Sequence, residues 1–134
     1  MTMVAEREPD SPVPTPLPEA GLAVEIRQEG ERAWVCALAG DLDVETLQPA
    51  AQALRTLLER RPSKVVVDLR GVGFCDSSGL NLLLKSRREA AAAVVDFRLA
   101  AAPATVMRVL ELTGAQAVFS LHSSVREALA APLS

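Results

Sequence analysis

Residues 64–84 of this chain, KVVVDLRGVGFCDSSGLNLLL, decide its fold. The β-branched run Val65–Val67 predicts a central strand that is buried on both faces. Leu80, Leu83 and Leu84 then recur at helical spacing, so a helix follows the strand. A buried strand that turns into a helix is typical of an α/β layer, whose sites lie at the carboxyl ends of the strands. The junction between them, Asp-Ser-Ser-Gly at positions 76–79, is therefore the first place to look for a site.

Patterns on both sides of this stretch supply the other elements of the predicted fold. Upstream, we predict two strands from Leu22 and over Ala33–Ala39, then a helix that begins near Asp43–Thr46 and ends before Arg61. Downstream, we predict strands over Val94–Ala100 and around Ala117–Leu121, and helices from Pro103 to Gly114 and from Ser124 to Ala131. The order ββαβαβαβα predicts an α/β fold with one mixed sheet of about five strands, parallel in its middle and opened by an antiparallel hairpin.

Length and composition predict one domain preceded by an arm. Residues 1–20 hold five of the nine prolines and four acidic residues against one arginine, which sums to −3. Such a segment is expected to be an extended, mostly disordered arm; a ligand for a proline-binding module is the alternative. Residues 21–134 form the expected domain, with 13 acidic and 13 basic side chains. A neutral domain gives no electrostatic footprint for nucleic acid or for an anionic membrane.

The sequence also favours a cytoplasmic protein that does not insert into a membrane. No stretch reaches the roughly 18–20 apolar residues that a membrane span needs, and the first residues are unlike a signal peptide. Cys36 and Cys75 lie in apolar contexts, and we expect both to be buried reduced thiols. The four aromatic residues sit in apolar runs and leave no platform for stacking on bases: Trp34, Phe74, Phe97 and Phe119.

Two readings of the Asp76-Ser77-Ser78 turn follow from local physics. A serine at a helix start caps unsatisfied backbone N–H groups. Alternatively, a phosphate on such a serine would face those N–H groups and the positive end of the helix dipole. Asp43 follows the preceding strand, so Asp43, Asp76 and Ser77 converge on one sheet edge if the two strands are neighbours. Asp43 as a plain helix cap, with Thr46 nearby, is the alternative.

Catalytic and cofactor chemistry find little support in the sequence. His122 is the only histidine, no Gly-x-Ser-x-Gly elbow is present, and the two cysteines and one histidine have no metal-ligand spacing. The sequence contains neither of the glycine-rich nucleotide-binding motifs, Gly-x-x-x-x-Gly-Lys-Ser/Thr and Gly-x-Gly-x-x-Gly. We therefore expect no catalytic residues, no metal and no cofactor, and a regulatory protein instead of an enzyme.

Four ordered segments resemble the STAS domain family, and in particular its stand-alone anti-sigma factor antagonists. They are GDLDVET at 40–46, VVVDL at 65–69, FCDSSGL at 74–80 and VLELTG at 109–114. The resemblance spans roughly residues 21–131. It departs from the family at Ala91–Val94, where family members commonly carry glycines, which leaves the end of the second helix open. It implies a curved sheet with the helices largely on one side.

The resemblance also implies a function and its residues. The family's phosphoacceptor position is Ser77 here, which leaves Ser78 as the helix cap. An anti-sigma factor that is also a serine kinase would bind the unphosphorylated form, release its sigma factor, and switch the antagonist off by phosphorylating Ser77. A PP2C-type phosphatase would reset the cycle. The implied partner-binding residues are Asp43, Asp76, Ser77, Ser78 and Gly79.

Two other functions stay open at this point. A STAS subunit of a lipid-transport ABC complex would use the same turn to dock an ATPase without phosphorylation. An enzyme would use Ser77 as a nucleophile.

Overall fold

The computed structural model describes residues 21–132 as a five-stranded mixed sheet with four helices. The predicted arm, residues 1–20, and the last two residues lie outside the described part. The elements in chain order are β1 Leu22–Glu29, β2 Ala33–Leu42, α1 Leu47–Glu59, β3 Lys64–Cys75, α2 Ser77–Ala92, β4 Asp96–Ala100, α3 Ala104–Thr113, a 3₁₀ turn Ala115–Ala117, β5 Ser120–His122 and α4 Val125–Ala130. The strands lie side by side in sequence order, which confirms the predicted architecture.

Strand pairing explains the order of the sheet. β1 and β2 form an antiparallel hairpin, with Leu22 opposite Gly40. The pairs β2–β3, β3–β4 and β4–β5 are parallel, because a helix or a helix and turn carries the chain back between them. β2 runs to Leu42, through the predicted break at residue 40, and its register against β3 shifts at Ala37/Ala39 and at Gly40/Asp41.

The main core lies between one face of the sheet and helices α1, α2 and α3. Alternate strand residues supply its sheet side, and residues at helical spacing supply its helix side. The helix side includes Leu54, Leu57, Leu80, Leu83, Val106 and Leu110. Of the helices in the described part of the chain, only α4 packs on the other face, where Val125 and Ala128 meet Val35, Val66 and Ala100. The helices therefore lie largely on one side, as predicted.

Two buried cations hold α4 in place. The Lys64 ammonium donates to the carbonyls of Leu129 at 2.8 Å and Ala131 at 3.2 Å. The Arg98 guanidinium donates to the carbonyls of Ala128 at 2.7 Å and Ala131 at 2.9 Å, and it is also paired with Asp96. Cations at a helix carboxyl end satisfy orphan carbonyls and oppose the negative end of the dipole. This arrangement explains two charged side chains that are less than a tenth exposed.

The turn after α2 shows why the end of that helix was hard to place. α2 continues to Ala92, and β4 begins at Asp96, two residues later than the Val94 start that we predicted. Val94 N donates to Ala91 O and Val95 N to Ala90 O, the two hydrogen bonds of a Schellman motif. That motif requires a left-handed residue, and Val94 has φ of 60° where glycine is usual. Val94 is also 87% exposed, so its side chain gains little from burial.

Replacing Val94 with glycine is expected to stabilise the fold. A β-branched residue in the left-handed region is strained, so we expect Val94→Gly to raise the free energy of unfolding by about 1 kcal/mol. Denaturant unfolding followed by circular dichroism measures this. Val118→Gly is the matched control, because Val118 is another exposed valine but has φ of −102°. Equal effects of the two substitutions would contradict the strain at Val94.

The final strand and helix differ in detail from the sequence prediction. Gly114 ends α3 with φ of 77°, as predicted for a residue that follows a helix. The chain then makes the 3₁₀ turn, so β5 begins at Ser120 and not around Ala117. Ser124 caps α4 by accepting from Glu127 N, as predicted, and the helix ends at Ala130. The capping box is only half formed, because the Glu127 carboxylate accepts from Ser123 N at 2.9 Å and not from Ser124 N.

Candidate functional site

The ends of β2 and β3 bring the predicted site residues to one edge of the sheet. Leu42 and Cys75 are partners in the parallel register, and Asp76 N donates to Leu42 O at 3.3 Å. Asp43 and Asp76 are each the next residue along the chain. The convergence that we predicted for Asp43, Asp76 and Ser77 is therefore present, because β2 and β3 are neighbouring strands.

Asp76, and not Ser78, caps α2. Asp76 has extended backbone dihedrals, and its Oδ1 accepts from Ser78 N at 2.9 Å and from Gly79 N at 3.1 Å. The prediction of Ser78 as the cap was wrong, because the Asp76 carboxylate, two residues earlier, already accepts from these two N–H groups. Ser77 and Ser78 become the first two residues of the helix.

The capping geometry leaves the Ser77 hydroxyl available. Ser77 is exposed, whereas Ser78 is half-buried, and within residues 21–132 the Ser77 hydroxyl makes no hydrogen bond. It lies at the amino end of a 16-residue helix, where backbone N–H groups and the dipole favour negative charge. An enzyme that modifies this hydroxyl would not have to break a hydrogen bond to the described residues first.

Asp43 organises the turn before α1. Its Oδ1 accepts from Glu45 N at 3.0 Å, Thr46 N at 3.1 Å and Thr46 Oγ1 at 3.0 Å. Asp43 therefore caps the turn at residues 44–46 and is not the helix cap that the sequence left open, because the N-cap residue of α1 is Thr46 and the helix starts at Leu47. Asp43 is half-buried, and neither Asp43 nor Asp76 has a cation within salt-bridge distance among the described residues. The edge beside Ser77 is therefore acidic.

Gly79 sets the distance between α2 and the end of β2. A Cβ atom at this position would lie 2.5 Å from Leu42 O, 2.9 Å from Leu42 Cγ and 3.0 Å from Cys75 Sγ. No larger residue fits, because one of these neighbours is a backbone oxygen. Gly79 is buried, so it contributes to the site by letting the helix start approach the strand end.

Two apolar residues at this edge were missed by the sequence reasoning. Val44 is 67% exposed and Phe74 is 50% exposed, and both lie within two residues of the Leu42–Cys75 register pair. We expected Phe74 to be covered within its apolar run. The neighbouring Cys75 points into the core, so strand alternation would have placed Phe74 on the opposite face. We call Val44 and Phe74 the edge patch.

The thiol beside the site is buried and protonated. Cys75 Sγ lies 3.6 Å from Asp76 O, and burial, with a smaller contribution from the Asp76 carboxylate, raises the pKa of this thiol to about 11. Burial, followed by the charge of Asp68, raises the pKa of the Cys36 thiol to about 12. Both cysteines are free and buried, as predicted. Because thiolate is the reactive form, neither is suited to react near neutral pH.

Native thiols are therefore expected to resist labelling. At pH 8 we expect Ellman's reagent to react with folded protein at least about a hundredfold more slowly than with the denatured chain, since a pKa near 11 leaves about one thiolate in a thousand. The colour that develops with and without denaturant measures both rates. Rapid reaction of one thiol in the folded protein would contradict the burial of Cys75 or Cys36.

The only histidine lies away from Ser77. His122 Nε2 is 3.0 Å from Ser120 Oγ at the end of β5, and burial and then Arg98 lower the pKa of its ring. The hydroxyl group that contacts His122 is therefore that of Ser120 and not that of Ser77. Within residues 21–132, no three metal-binding side chains form a cluster and no helix could span a membrane.

Comparisons with known proteins agree with this architecture. Residues 26–123 match the family model described as Mlab, STAS domain. The chain is similar to the structure of an anti-sigma factor antagonist from Mycobacterium paratuberculosis, at 24% identity and a TM-score of 0.76, over 84% of this chain and 94% of that chain. It is also similar to SpoIIAA in its unphosphorylated form, at 22% identity and a TM-score of 0.68, over 80% of this chain and 93% of that one. A third similar structure is the Bacillus cell fate determinant SpoIIAA in its phosphorylated form, at 21% identity and a TM-score of 0.65, over 80% of this chain and 96% of that chain.

Proposed function

Because this chain belongs to the STAS domain family, we propose that it is an anti-sigma factor antagonist switched by phosphorylation of Ser77. In the unphosphorylated form it binds an anti-sigma factor that is also a serine kinase, which releases a sigma factor. The observation that carries the proposal is the exposed, unengaged Ser77 hydroxyl at the start of α2. The similarity to structures described as anti-sigma factor antagonists, one of them in a phosphorylated form, supports it.

The acidic edge gives the phosphate its effect on binding. A phosphate adds about −1.5 to −2 charges next to Asp76 and close to Asp43. The positive end of the α2 dipole offsets part of this charge in the free protein, and the exposed position of Ser77 leaves the phosphate in water, so the fold tolerates it. A partner that covers the edge would have to remove the phosphate from water beside two carboxylates, and binding therefore weakens.

The docking surface combines this charge with the edge patch. Its polar part consists of two acidic residues and two serines, Asp43, Asp76, Ser77 and Ser78. Gly79 lies beneath them and allows the start of α2 to approach the end of β2. Val44 and Phe74 supply the apolar area that a specific interface requires at its centre. A PP2C-type phosphatase would restore the binding-competent form, and we place all three proteins in the cytoplasm.

A pull-down with paired variants tests this function. Immobilised Ser77→Ala protein is expected to retain a soluble serine kinase from lysate of the source organism, whereas immobilised Ser77→Asp protein is expected to lose it. Ser78→Ala is the matched control, since it removes a neighbouring hydroxyl of the docking surface without adding charge, and it should retain far more kinase than Ser77→Asp. Membrane ATPase components held equally by Ser77→Ala and Ser77→Asp would contradict the proposal and favour the lipid-transport subunit. Labelling of Ser77 by a fluorophosphonate probe would instead favour an enzyme.

A further inference from the structure

β1 is an outermost strand of the sheet, and within the described residues it pairs with β2 alone. Its eight residues follow β2 without a bulge and include no proline. Proteins protect outermost strands from pairing with another strand by bulges, prolines or charged side chains. β1 has only the last of these, on Glu25, Arg27 and Glu29. Further pairing of this strand therefore depends on how these charges are placed against a second strand.

The hydrogen bonds to β2 show which backbone groups of β1 point outward. Gly21 O accepts from Asp41 N at 2.9 Å, so these two residues form a hydrogen-bonded pair of the antiparallel ladder. Because such pairs alternate along the strand, the odd-numbered residues of β1 bond to β2. The N–H and C=O groups of Val24, Ile26 and Gln28 then point away from β2.

The side chains of β1 divide between the two faces of the sheet. The even-numbered residues share the face of the main core, and among them Ile26 is 39% exposed. Arg27 lies opposite Val35 in the register, and Val35 belongs to the face that α4 covers. Glu25, which is exposed, lies on the same face as Arg27. Arg27 already forms an ion pair with Glu29 of its own strand.

A second copy of β1 can lie against the first in only a few registers. An antiparallel pair related by a two-fold axis brings the outward backbone groups of both copies together, and the residue at the axis sets the register. An axis at residue 25 or 27 places like charges face to face, Glu25 against Glu25 or Arg27 against Arg27. An axis at residue 28 places Glu25 against Glu31, and one at residue 24 leaves residues 27–29 beyond the partner strand.

The register with the axis at Ile26 is the one in which the charges complement each other. It pairs Glu25 with Arg27 of the second copy, and Arg27 with Glu25 of the second copy. Because residues 25 and 27 have their backbone groups turned toward β2, this is a non-hydrogen-bonded pair, in which side chains approach most closely. Arg27 keeps its contact with Glu29 and gains a second carboxylate across the strands. Ile26 meets Ile26 on the opposite face.

We propose that this protein forms a two-fold dimer through β1, with the axis at Ile26. The dimer joins two five-stranded sheets into one continuous sheet. The next charged residues along the chain, Glu19 and Glu31, lie outside the aligned residues 23–29. Because the strands are antiparallel, the two Ser77 turns lie at opposite ends of the joined sheet.

The dimer is expected to be weak. Two strands of eight residues bury less than the roughly 1,200 Å² that a stable interface requires, so we expect a dissociation constant on the order of 10⁻⁴ M. Sedimentation equilibrium from about 10 μM to about 1 mM covers this range. The average mass is expected to rise from that of the monomer toward that of the dimer.

An exchange of charges between two variants tests the register. Glu25→Arg alone and Arg27→Glu alone each place like charges face to face, and we expect each to weaken the dimer at least about tenfold. An equimolar mixture of the two variants restores opposite charges at both pairs, so the mixture is expected to dimerise where neither variant does. Glu89→Arg, at an exposed position of α2, makes the same change of charge as Glu25→Arg and is expected to leave the dimer unchanged.

Three results would overturn the dimer through β1. The first is an unmodified protein that stays monomeric up to about 1 mM. The second is a dimer that Glu25→Arg weakens no more than Glu89→Arg does, and the third is a mixture that associates no better than the single variants. Neither phosphate nor a kinase enters this experiment, so its outcome is independent of the proposed function.

Discussion

Phosphorylation of Ser77 is expected to weaken partner binding more than a hundredfold, while Ser77→Ala binds as tightly as the unmodified protein. A coupling of about 3 kcal/mol between the phosphate and the partner gives this factor, and it lies within the range of known switches. The reason is local, since the added charge sits at the start of α2 beside Asp76, on a surface that the partner must desolvate. Ser77→Asp carries less charge than a phosphate, and we expect it to weaken binding at least about tenfold.

Titration calorimetry with the purified partner measures these affinities. The fold should be unaffected, because the Ser77 hydroxyl is exposed and makes no hydrogen bond within the described residues. The unfolding free energies of the unmodified, Ser77→Ala and Ser77→Asp proteins should therefore agree within about 0.5 kcal/mol. Ser78→Asp is the positional control, and a smaller effect is expected there because Ser78 is half-buried. A Ser77→Asp protein that binds as tightly as the unmodified one would contradict the switch.

Gly79→Ala is expected to lower the free energy of unfolding by about 2 to 3 kcal/mol. The new methyl group would lie 2.5 Å from the backbone oxygen of Leu42, so the start of α2 must move away from β2. Overpacking of this kind costs roughly 1–3 kcal/mol, and a rigid backbone neighbour places Gly79 at the upper end. The displacement also moves Ser77 relative to Asp43, so partner binding should weaken with stability.

Gly73→Ala is the control for this substitution. Nothing lies within 4 Å of a Cβ at Gly73, and its φ is not positive, so we expect a change within about 0.5 kcal/mol. Both variants can be followed by denaturant unfolding, in which the midpoint shifts while the slope stays constant. Equal stability of Gly79→Ala and Gly73→Ala would show that the close approach of α2 to β2 is not needed.

Periodicity in the sequence was sufficient for the arrangement of strands and helices. The Val65–Val67 run is typical of a buried strand, and the leucines after Gly79 recur at the spacing of a helix. Because connections between neighbouring elements are short, the possible orders of the strands in the sheet are then few. The same reasoning brought Asp43 and Asp76 to one edge, because the carboxyl ends of adjacent parallel strands meet there.

Details of the candidate site depended on backbone geometry that periodicity does not encode. Asp76, Ser77 and Ser78 are all capping residues within one turn, and the extended dihedrals of Asp76 decide which of them acts as the cap. Strand alternation with Cys75 gives the face on which Phe74 lies, but it does not show that this face is left half uncovered at the end of β3. Val94 takes a left-handed conformation that valine disfavours, so no residue preference could have indicated it.

The most direct test of the central claim is to map the phosphate by mass spectrometry. The protein is incubated with its partner kinase and ATP and then digested, and the modified peptide is fragmented. We predict a single phosphate on Ser77, retained in Ser78→Ala and lost in Ser77→Ala. A phosphate on Ser78 or elsewhere, or no phosphate at all, would contradict the assignment of Ser77 as the switch.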